Sequence, residues 1–417
     1  MAFVPELLVP AGNPEKFYTA VLYGADAVYL GGVSGNLRAS SGGFSQSDLA
    51  GAVAHARAHG VKIYYCLNAL PFENDMKDIP KAAEAAAEAG VDAFIVADPG
   101  VFSLAKRVAP HISIHLSTQA NTTNAAAVNF WLDAGFTRVN LARELSCKDI
   151  TAVRETLPHA ELEVFVHGAM CLAVSGQCLL SAWLNNRPAN QGRCTQPCRF
   201  EYRATEATIV LEEALRGGER LWDIDQGERY AAFFAPDDLC LLPFLPWFIR
   251  NEITSLKIEG RMKGASYVAH VTDAYRSALD ACLEAEHGIL AGKGMFAWRS
   301  FLPDLERTAS RPLSTGFFLP KRRYISSGGA APRPLAAKVL EEVAPGAWLV
   351  DVRGKWDAAK DAELMLPGMR RPTLESGSYT LENHRGERVS VVNSGMRAVV
   401  HSEAESFRPG IFIRVKE

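Results

Sequence analysis

Five of the eight cysteines in this 417-residue chain crowd into residues 171–240: Cys171, Cys178, Cys194 and Cys198 in close succession, then Cys240 in Asp237-Asp238-Leu239-Cys240. The spacing C-x6-C followed by C-x3-C suits thiolates that converge on one soft metal centre. Three other readings compete. Disulfides are disfavoured because the chain opens Met-Ala-Phe-Val-Pro, with no basic segment leading into an apolar one, which points to a cytoplasmic protein with reduced thiols. Four thiolates also suit tetrahedral zinc, although paired C-x2-C knuckles are missing. Cysteine also packs as a small hydrophobe, the reading adopted for the isolated Cys66, Cys147 and Cys282. The clustered five lie among Gly176, Asn190, Gln191, Gly192 and Arg193, which is loop chemistry.

The elements that must position these thiols are legible in the alternation of residue types. A net charge of -3 and a pI near 6.4 give no global basic field, which weakens an RNA substrate without excluding one. No apolar run approaches the ~20 residues of a membrane span. Length predicts two or three domains. Eight short β-rich runs, at 6–10, 27–31, 62–68, 93–98, 112–117, 138–142, 162–167 and 255–259, alternate with amphipathic stretches such as 48–59, 79–89 and 121–134. Gly24, Gly60, Gly90 and Gly135 stand where helices should stop. Strand and helix repeated to a count of eight predict an α/β fold, a TIM-like (β/α)8 barrel, over an open doubly wound sheet.

Polar residues recur where each strand ends: Asn13, Asn68, Asp98, Ser117 and Gln119, Arg143 and Glu144, His167, then Glu259 and Arg261. In a barrel these ends share one face, which carries the active site. Singly each residue reads as a turn or cap; together they describe a polar bowl. Arg143 and Arg261 are candidates for clamping a dicarboxylate, Glu144, Glu259 and His167 for moving protons, and Asn68, Asp98, Ser117 and Gln119 for binding substrate. The alternative for the Arg143-Glu144 and Glu259/Arg261 pairs is structural ion pairing at the rim.

Between the seventh and eighth runs lie residues 168–254, far more than a normal βα connection. This excursion, about 168–250 and bearing all five cysteines, begins at the catalytic face and is predicted to roof it. Within it 204–234 reads as an antiparallel hairpin and 243–250 as a helical turn. The barrel is predicted to occupy 1–286. Residues 287–334, rich in Gly, Pro, Ser and Arg, read as a linker or clamp, and 335–417 as a small β-barrel-like domain of seven short runs. That tail is nearly charge-balanced, with 13 basic and 12 acidic residues from Ala331 onward.

With these residues in view the chain resembles peptidase family U32, the collagenase-like family. The resemblance is carried by Glu6-Leu7-Leu8-Val9-Pro10-Ala11-Gly12-Asn13, Gly24-Ala25-Asp26-Ala27, Ser117-Thr118-Gln119, Leu141-Ala142-Arg143-Glu144, His167-Gly168-Ala169-Met170-Cys171, Ser175-Gly176-Gln177-Cys178, Gly192-Arg193-Cys194 to Cys198-Arg199, and Lys257-Ile258-Glu259-Gly260-Arg261. It covers the first 280 residues, and the β tail is similar to that of the tRNA-hydroxylating branch. The resemblance implies an iron-sulfur enzyme that installs hydroxyl groups without molecular oxygen. For this branch it implies tRNA wobble uridine as substrate, prephenate as hydroxyl donor, and a 4Fe-4S cluster on four of Cys171, Cys178, Cys194, Cys198 and Cys240, with zinc as the alternative metal. Two other functions compete: a hydrolase, for which His167 and Cys171 are the only tempting pair, and a non-catalytic iron-sulfur assembly subunit. Neither a His-Glu-x-x-His pair nor a Gly-x-Ser-x-Gly elbow occurs.

Overall fold

The computed structural model describes residues 3–32, 43–171, 173–185, 187, 189, 193–199, 225–227, 230–232, 237–290, 296–309, 311–326 and 335–416. Eight parallel strands close into a barrel: β1 (Glu6–Pro10), β2 (Ala27–Leu30), β3 (Lys62–Leu67), β4 (Ala93–Val96), β5 (Ser113–Leu116), β6 (Arg138–Asn140), β7 (Glu161–Ala169) and β8 (Ser255–Ile258). Each pairs with the next, and β8 pairs with both β7 and β1. The eightfold expectation holds, with strand limits shifted by a residue or two. Helices fall between the strands, among them Gln46–Ala58, Ile79–Ala89 and Ala125–Ala134, and the last, Ala265–Leu290, follows β8. No helix among the described residues is long and apolar enough to cross a membrane.

Local chemistry explains the limits. Ser45 accepts a hydrogen bond from the Asp48 amide while Asp48 accepts one from the Ser45 amide, and Ser146 and Asp149 repeat this capping box. Gly24, Gly60, Gly90 and Gly135 all adopt positive φ, so the chain leaves each helix in a conformation that only glycine adopts without strain. Asp26 and Asp92, just before β2 and β4, accept hydrogen bonds from the Leu7 and Ile63 amides of the preceding strands, which fixes the register at the barrel floor.

The lumen is unusually polar. Arg138 on β6 meets Glu6 on β1 at 2.6 Å, and the Tyr64 hydroxyl on β3 donates to Glu6 at 2.6 Å. These strands are not neighbours, so the contacts run through the barrel interior. Above them Lys257 pairs with Glu163 at 2.7 Å, both buried. Apolar side chains, including Leu8, Ala27, Cys66, Ala93 and Ile95, fill the space between.

Most of the predicted hairpin 204–234 lies outside the described residues, but Asp225–Gly227 and Tyr230–Ala232 pair antiparallel. The strand Asp238–Cys240 then runs antiparallel to the upper part of β7, and helix Leu245–Arg250 leads into β8. Strand Leu313–Ser314 pairs with Asp238–Cys240, and Tyr324–Ser326 pairs with Leu313–Ser314.

The carboxy-terminal residues form an all-β module with its own core, built on an antiparallel sheet of eight strands centred on Leu335–Ala344 and Ala347–Val352. It is fastened to the barrel by buried charge. Asp304 pairs with Arg371 at 2.7 Å and with Arg414 at 2.9 Å, Asp273 pairs with Arg371 at 2.6 Å, and Arg414 reaches Glu363 at 2.6 Å. Burial alone would raise the Asp304 carboxyl, but the Arg371 and Arg414 guanidiniums hold it well below the usual carboxylate range. Asp304→Ala leaves Arg371 with Asp273 and Arg414 with Glu363 but removes the carboxylate that joins them, so it is expected to cost about 1–3 kcal/mol, read as a lower urea midpoint. An unchanged midpoint would show that the cluster does not hold the module.

Candidate active site at the barrel mouth

The strands' carboxyl ends surround a small recess. Asn68, Ser117, Gln119, Arg143, Glu259 and Arg261, all chosen from sequence, line it. Arg143 is held by three contacts: it donates to the Ala169 carbonyl at 3.2 Å, its guanidinium lies 4.0 Å from the centre of the Phe165 ring, and Glu259 stands 3.9 Å away. That last distance is long for an ion pair, so Arg143 can turn toward a ligand carboxylate. The Tyr29 hydroxyl donates to the Ile258 carbonyl at 2.9 Å and reaches Glu259 at 3.3 Å. Asn68 donates to the Ser117 hydroxyl at 3.2 Å. Arg261 is buried, and its carbonyl accepts from the Lys16 ammonium at 3.0 Å.

Three expected residues lie elsewhere. Asp98 is the amino-terminal cap of helix Pro99–Val108, accepting from the Gly100 and Val101 amides at 2.8 and 2.9 Å. Glu144 turns away from Arg143 and accepts from the Ser175 amide at 2.8 Å and hydroxyl at 3.0 Å, so it anchors the excursion. His167 is buried in the wall beside Tyr275, whose hydroxyl lies 3.4 Å from Nδ1. Burial, reinforced by Lys263, pushes the His167 pKa down to about 3, so the ring stays neutral near pH 7. Asn13 likewise caps helix Pro14–Leu22.

Among the lining residues that escaped the sequence reading are Tyr29, Cys66, Ile95, Asn140, Phe165 and Lys257. They sit inside the strands and not past their ends. The available signal was periodicity, since Lys257 lies two residues before Glu259 and so shares its face. The Asn140 side-chain oxygen Oδ1 is buried without a hydrogen-bond partner among the described residues, which leaves an acceptor ready for a ligand.

The excursion crosses this mouth: the Gln177 amide group donates to the Gln119 carbonyl at 3.1 Å. Cys171, Cys178, Cys194 and Cys198 are half-buried, and no disulfide joins any of the eight cysteines among the described residues. The Leu180 amide donates to Cys178 Sγ at 3.4 Å and the Gln196 amide to Cys194 Sγ at 3.3 Å, contacts of the kind that tune metal-bound sulfur. Cys240 differs. It is fully buried opposite His167, takes a 3.8 Å hydrogen bond from Tyr275, and burial pushes its thiol up to about 11. In donor type the set fits a soft metal; in position, no three His, Cys, Asp or Glu side chains converge as a metal site among the described residues. Nor does any hydrogen bond join His167 to Cys171 among them, so the pair considered for peptidase chemistry is not assembled.

The family model for peptidase family U32 matches residues 12–327. The chain belongs to this family. A relative from Bacillus subtilis (strain 168) named tRNA hydroxylation protein P1 is 40% identical over 316 residues, covering 75% of this chain and 71% of that protein. Tied to the same name without the numeral is an Escherichia coli (strain K12) protein, 36% identical over 347 residues, with 76% of this chain and 74% of the relative covered. The 23S rRNA 5-hydroxycytidine C2501 synthase of Escherichia coli (strain K12) is 34% identical over 341 residues, covering 81% of this chain and 48% of that protein.

Two outcomes follow from the geometry. A Cβ at Gly168, whose φ is +108°, would stand 2.4 Å from the Glu259 carbonyl oxygen. Gly168→Ala is therefore expected to cost at least about 1–3 kcal/mol and to lower the urea midpoint; an unchanged midpoint would mean that β7 and β8 part freely. Burial also lowers the His270 pKa to about 4 and that of His115 well below its usual value. With folded values depressed, the unfolded chain binds the extra protons below pH 6.5. Stability should be level from pH 8 to 7, then fall toward pH 4 by up to about 1.4 kcal/mol per pH unit for each histidine. Urea titrations across that range check the slope.

Proposed function

We propose that this protein is an oxygen-independent iron-sulfur hydroxylase of RNA that acts on the wobble uridine of tRNA, with prephenate or a similar dicarboxylate as hydroxyl donor. The observation that carries the reading is a small polar recess lined by Arg143, Lys257 and Arg261, crossed by a thiol-bearing excursion. The names of the relatives point the same way. A 4Fe-4S cluster would be held by four of Cys171, Cys178, Cys194, Cys198 and Cys240, and would supply one-electron or Lewis-acid chemistry. Cys240 would have to lose its proton to serve, and the hydrogen bond its sulfur accepts from Tyr275 is compatible with that role.

The chain's own groups divide the remaining work. Arg143 and Arg261 bind the donor's carboxylates, Arg143 by exchanging its loose contact with Glu259 for a bidentate one. Lys257, oriented by Glu163, adds a third cation. Glu259, hydrogen-bonded by Tyr29, takes up or returns a proton at the substrate oxygen. The target base reaches this mouth only when extruded from its stack.

The test is anaerobic purification with iron and acid-labile sulfide counted, together with mass spectrometry of tRNA nucleosides from a deletion strain carrying wild-type or variant genes. About four irons per chain are expected, falling sharply in Cys178→Ala and Cys194→Ala, with hydroxylated uridine restored by wild type alone. Arg143→Lys should keep the iron but lose most of the modification, because lysine cannot pair bidentately. Stoichiometric zinc, or peptide cleavage that survives Cys178→Ala, would overturn the proposal. Unaltered nucleosides in the deletion strain would leave an assembly subunit.

A further inference from the structure

Residues 307–340 contain seven basic and no acidic residues, in a chain whose net charge is -3. Within them the strands Leu313–Ser314 and Tyr324–Ser326 form a hairpin attached to the barrel through Asp238–Cys240. Two adjacent phenylalanines at its tip behave oppositely. Phe318 is buried against Phe244, Trp247 and Phe248, with ring centres 5.0, 5.1 and 5.4 Å away, and its carbonyl accepts from the Cys147 amide at 2.8 Å. Phe317 is 55% exposed. The tip is fixed in shape: the Thr315 amide donates to the Arg323 carbonyl at 2.9 Å and the Phe318 amide to the Thr315 carbonyl at 3.0 Å. An exposed aromatic ring is thus held on a turn that its buried neighbour has already ordered.

Phe317 borders a groove of ≈ 1060 Å³ whose other wall includes Cys171, Met170 and Glu144. Arg143 lines the polar recess and the next residue, Glu144, lines this groove. Lys321, Arg322 and Arg323 are exposed beside it, as is Tyr324 at 58%. Arg322 is steered over the groove by Asp237 at 3.3 Å and by the Tyr324 ring, whose centre is 5.4 Å from the guanidinium carbon.

Resting on the reading of the protein as an RNA-modifying enzyme, we propose that this hairpin tip is a nucleobase platform. An unpaired base of the RNA stacks on Phe317 in the groove beside Cys171, and Lys321, Arg322 and Arg323 neutralise the flanking phosphates. Cations around an exposed ring are the arrangement that single-stranded nucleic acid recognises, and the two carboxylates that line the groove are engaged, Asp237 by Arg322 and Glu144 by Ser175. The recess then takes the small anion, and the base stacked on Phe317 anchors the RNA strand beside the mouth that the target base enters.

The experiment measures anaerobically purified full-length protein by fluorescence anisotropy against a labelled RNA stem-loop with a uridine-containing loop, and against a blunt RNA duplex. Wild type should prefer the stem-loop. Phe317→Ala should weaken stem-loop binding roughly 5- to 150-fold, the range of one base–aromatic stack, and Phe317→Trp should restore it. Iron content and thermal midpoint should stay at wild-type values, because Phe317 is exposed. Replacing Lys321, Arg322 and Arg323 together by Gln should flatten the slope of log affinity against log salt by about 2, at ~0.7 per phosphate on a single strand. If Phe317→Ala binds like wild type, or the salt slope is unmoved, the platform is refuted while RNA binding by wild type still stands. If wild type binds neither RNA, the RNA reading itself falls.

Discussion

The unpaired edge of one long strand organises this molecule. β7 runs nine residues, Glu161–Ala169, while its neighbour β6 has only three, Arg138–Asn140. The upper half of β7 therefore exposes backbone N–H and C=O groups on that side, and groups of that kind do not stay unsatisfied in a buried wall. Asp238–Cys240 fills the gap by antiparallel pairing, which obliges the chain to return to the barrel mouth after its long excursion. The thiols, the Glu144–Ser175 anchor and the hairpin at 313–326 occupy the mouth because of that pairing. On its other edge β7 closes against β8, and Gly168 is what allows its top to pass the Glu259 carbonyl.

Below the mouth, charges stand where such barrels commonly pack branched aliphatic side chains. Glu6, Arg138, Glu163 and Lys257 are matched at 2.6 to 2.7 Å, and buried pairs of this kind add little net stability because desolvation offsets their attraction. What they add is position. Lys257 is aimed by Glu163 from beneath, with the centres of the Tyr29 and Phe165 rings 4.6 and 5.5 Å from its ammonium, so the cation is fixed in the recess wall. The same economy appears at the far side, where one carboxylate, Asp304, serves Arg307, Arg371 and Arg414 together.

Much of this was legible in residue order. Eight β-rich runs, glycine stops and polar strand ends led to a closed barrel, and six of the chosen polar residues do surround one recess. The exceptions have physical reasons. Asp98 precedes Pro99 and Gly100, a helix-start signature that competes with any reading of it as a binding group. Glu144 follows Arg143, and successive residues leaving a strand point to opposite sides, so both could not face the recess. His167 lies within a strand that continues to Ala169, two residues beyond the expected end, so it belongs to the wall. Lys257 and Asn140 were hidden because a short buried strand reads as apolar from its neighbours, and only the pairing of opposite walls shows which positions turn inward. Neither the span of the Asp238–Cys240 pairing nor the course of the excursion could be inferred locally, since both depend on contacts between residues some 70 positions apart.

The seam between β1 and β8 joins residues 6–8 to 255–257. During synthesis the first strand must wait, without its lateral partner, until some 250 further residues have been added, roughly 13–50 s at ordinary translation speeds. Throughout that interval a growing half-cylinder presents a raw border to every other emerging chain. The acidic Glu6 marks that border with a charge: Lys62 on the third strand reaches it at 3.6 Å, and Arg138 closes on it at 2.6 Å only once the wall has curled far enough to bring the sixth strand across.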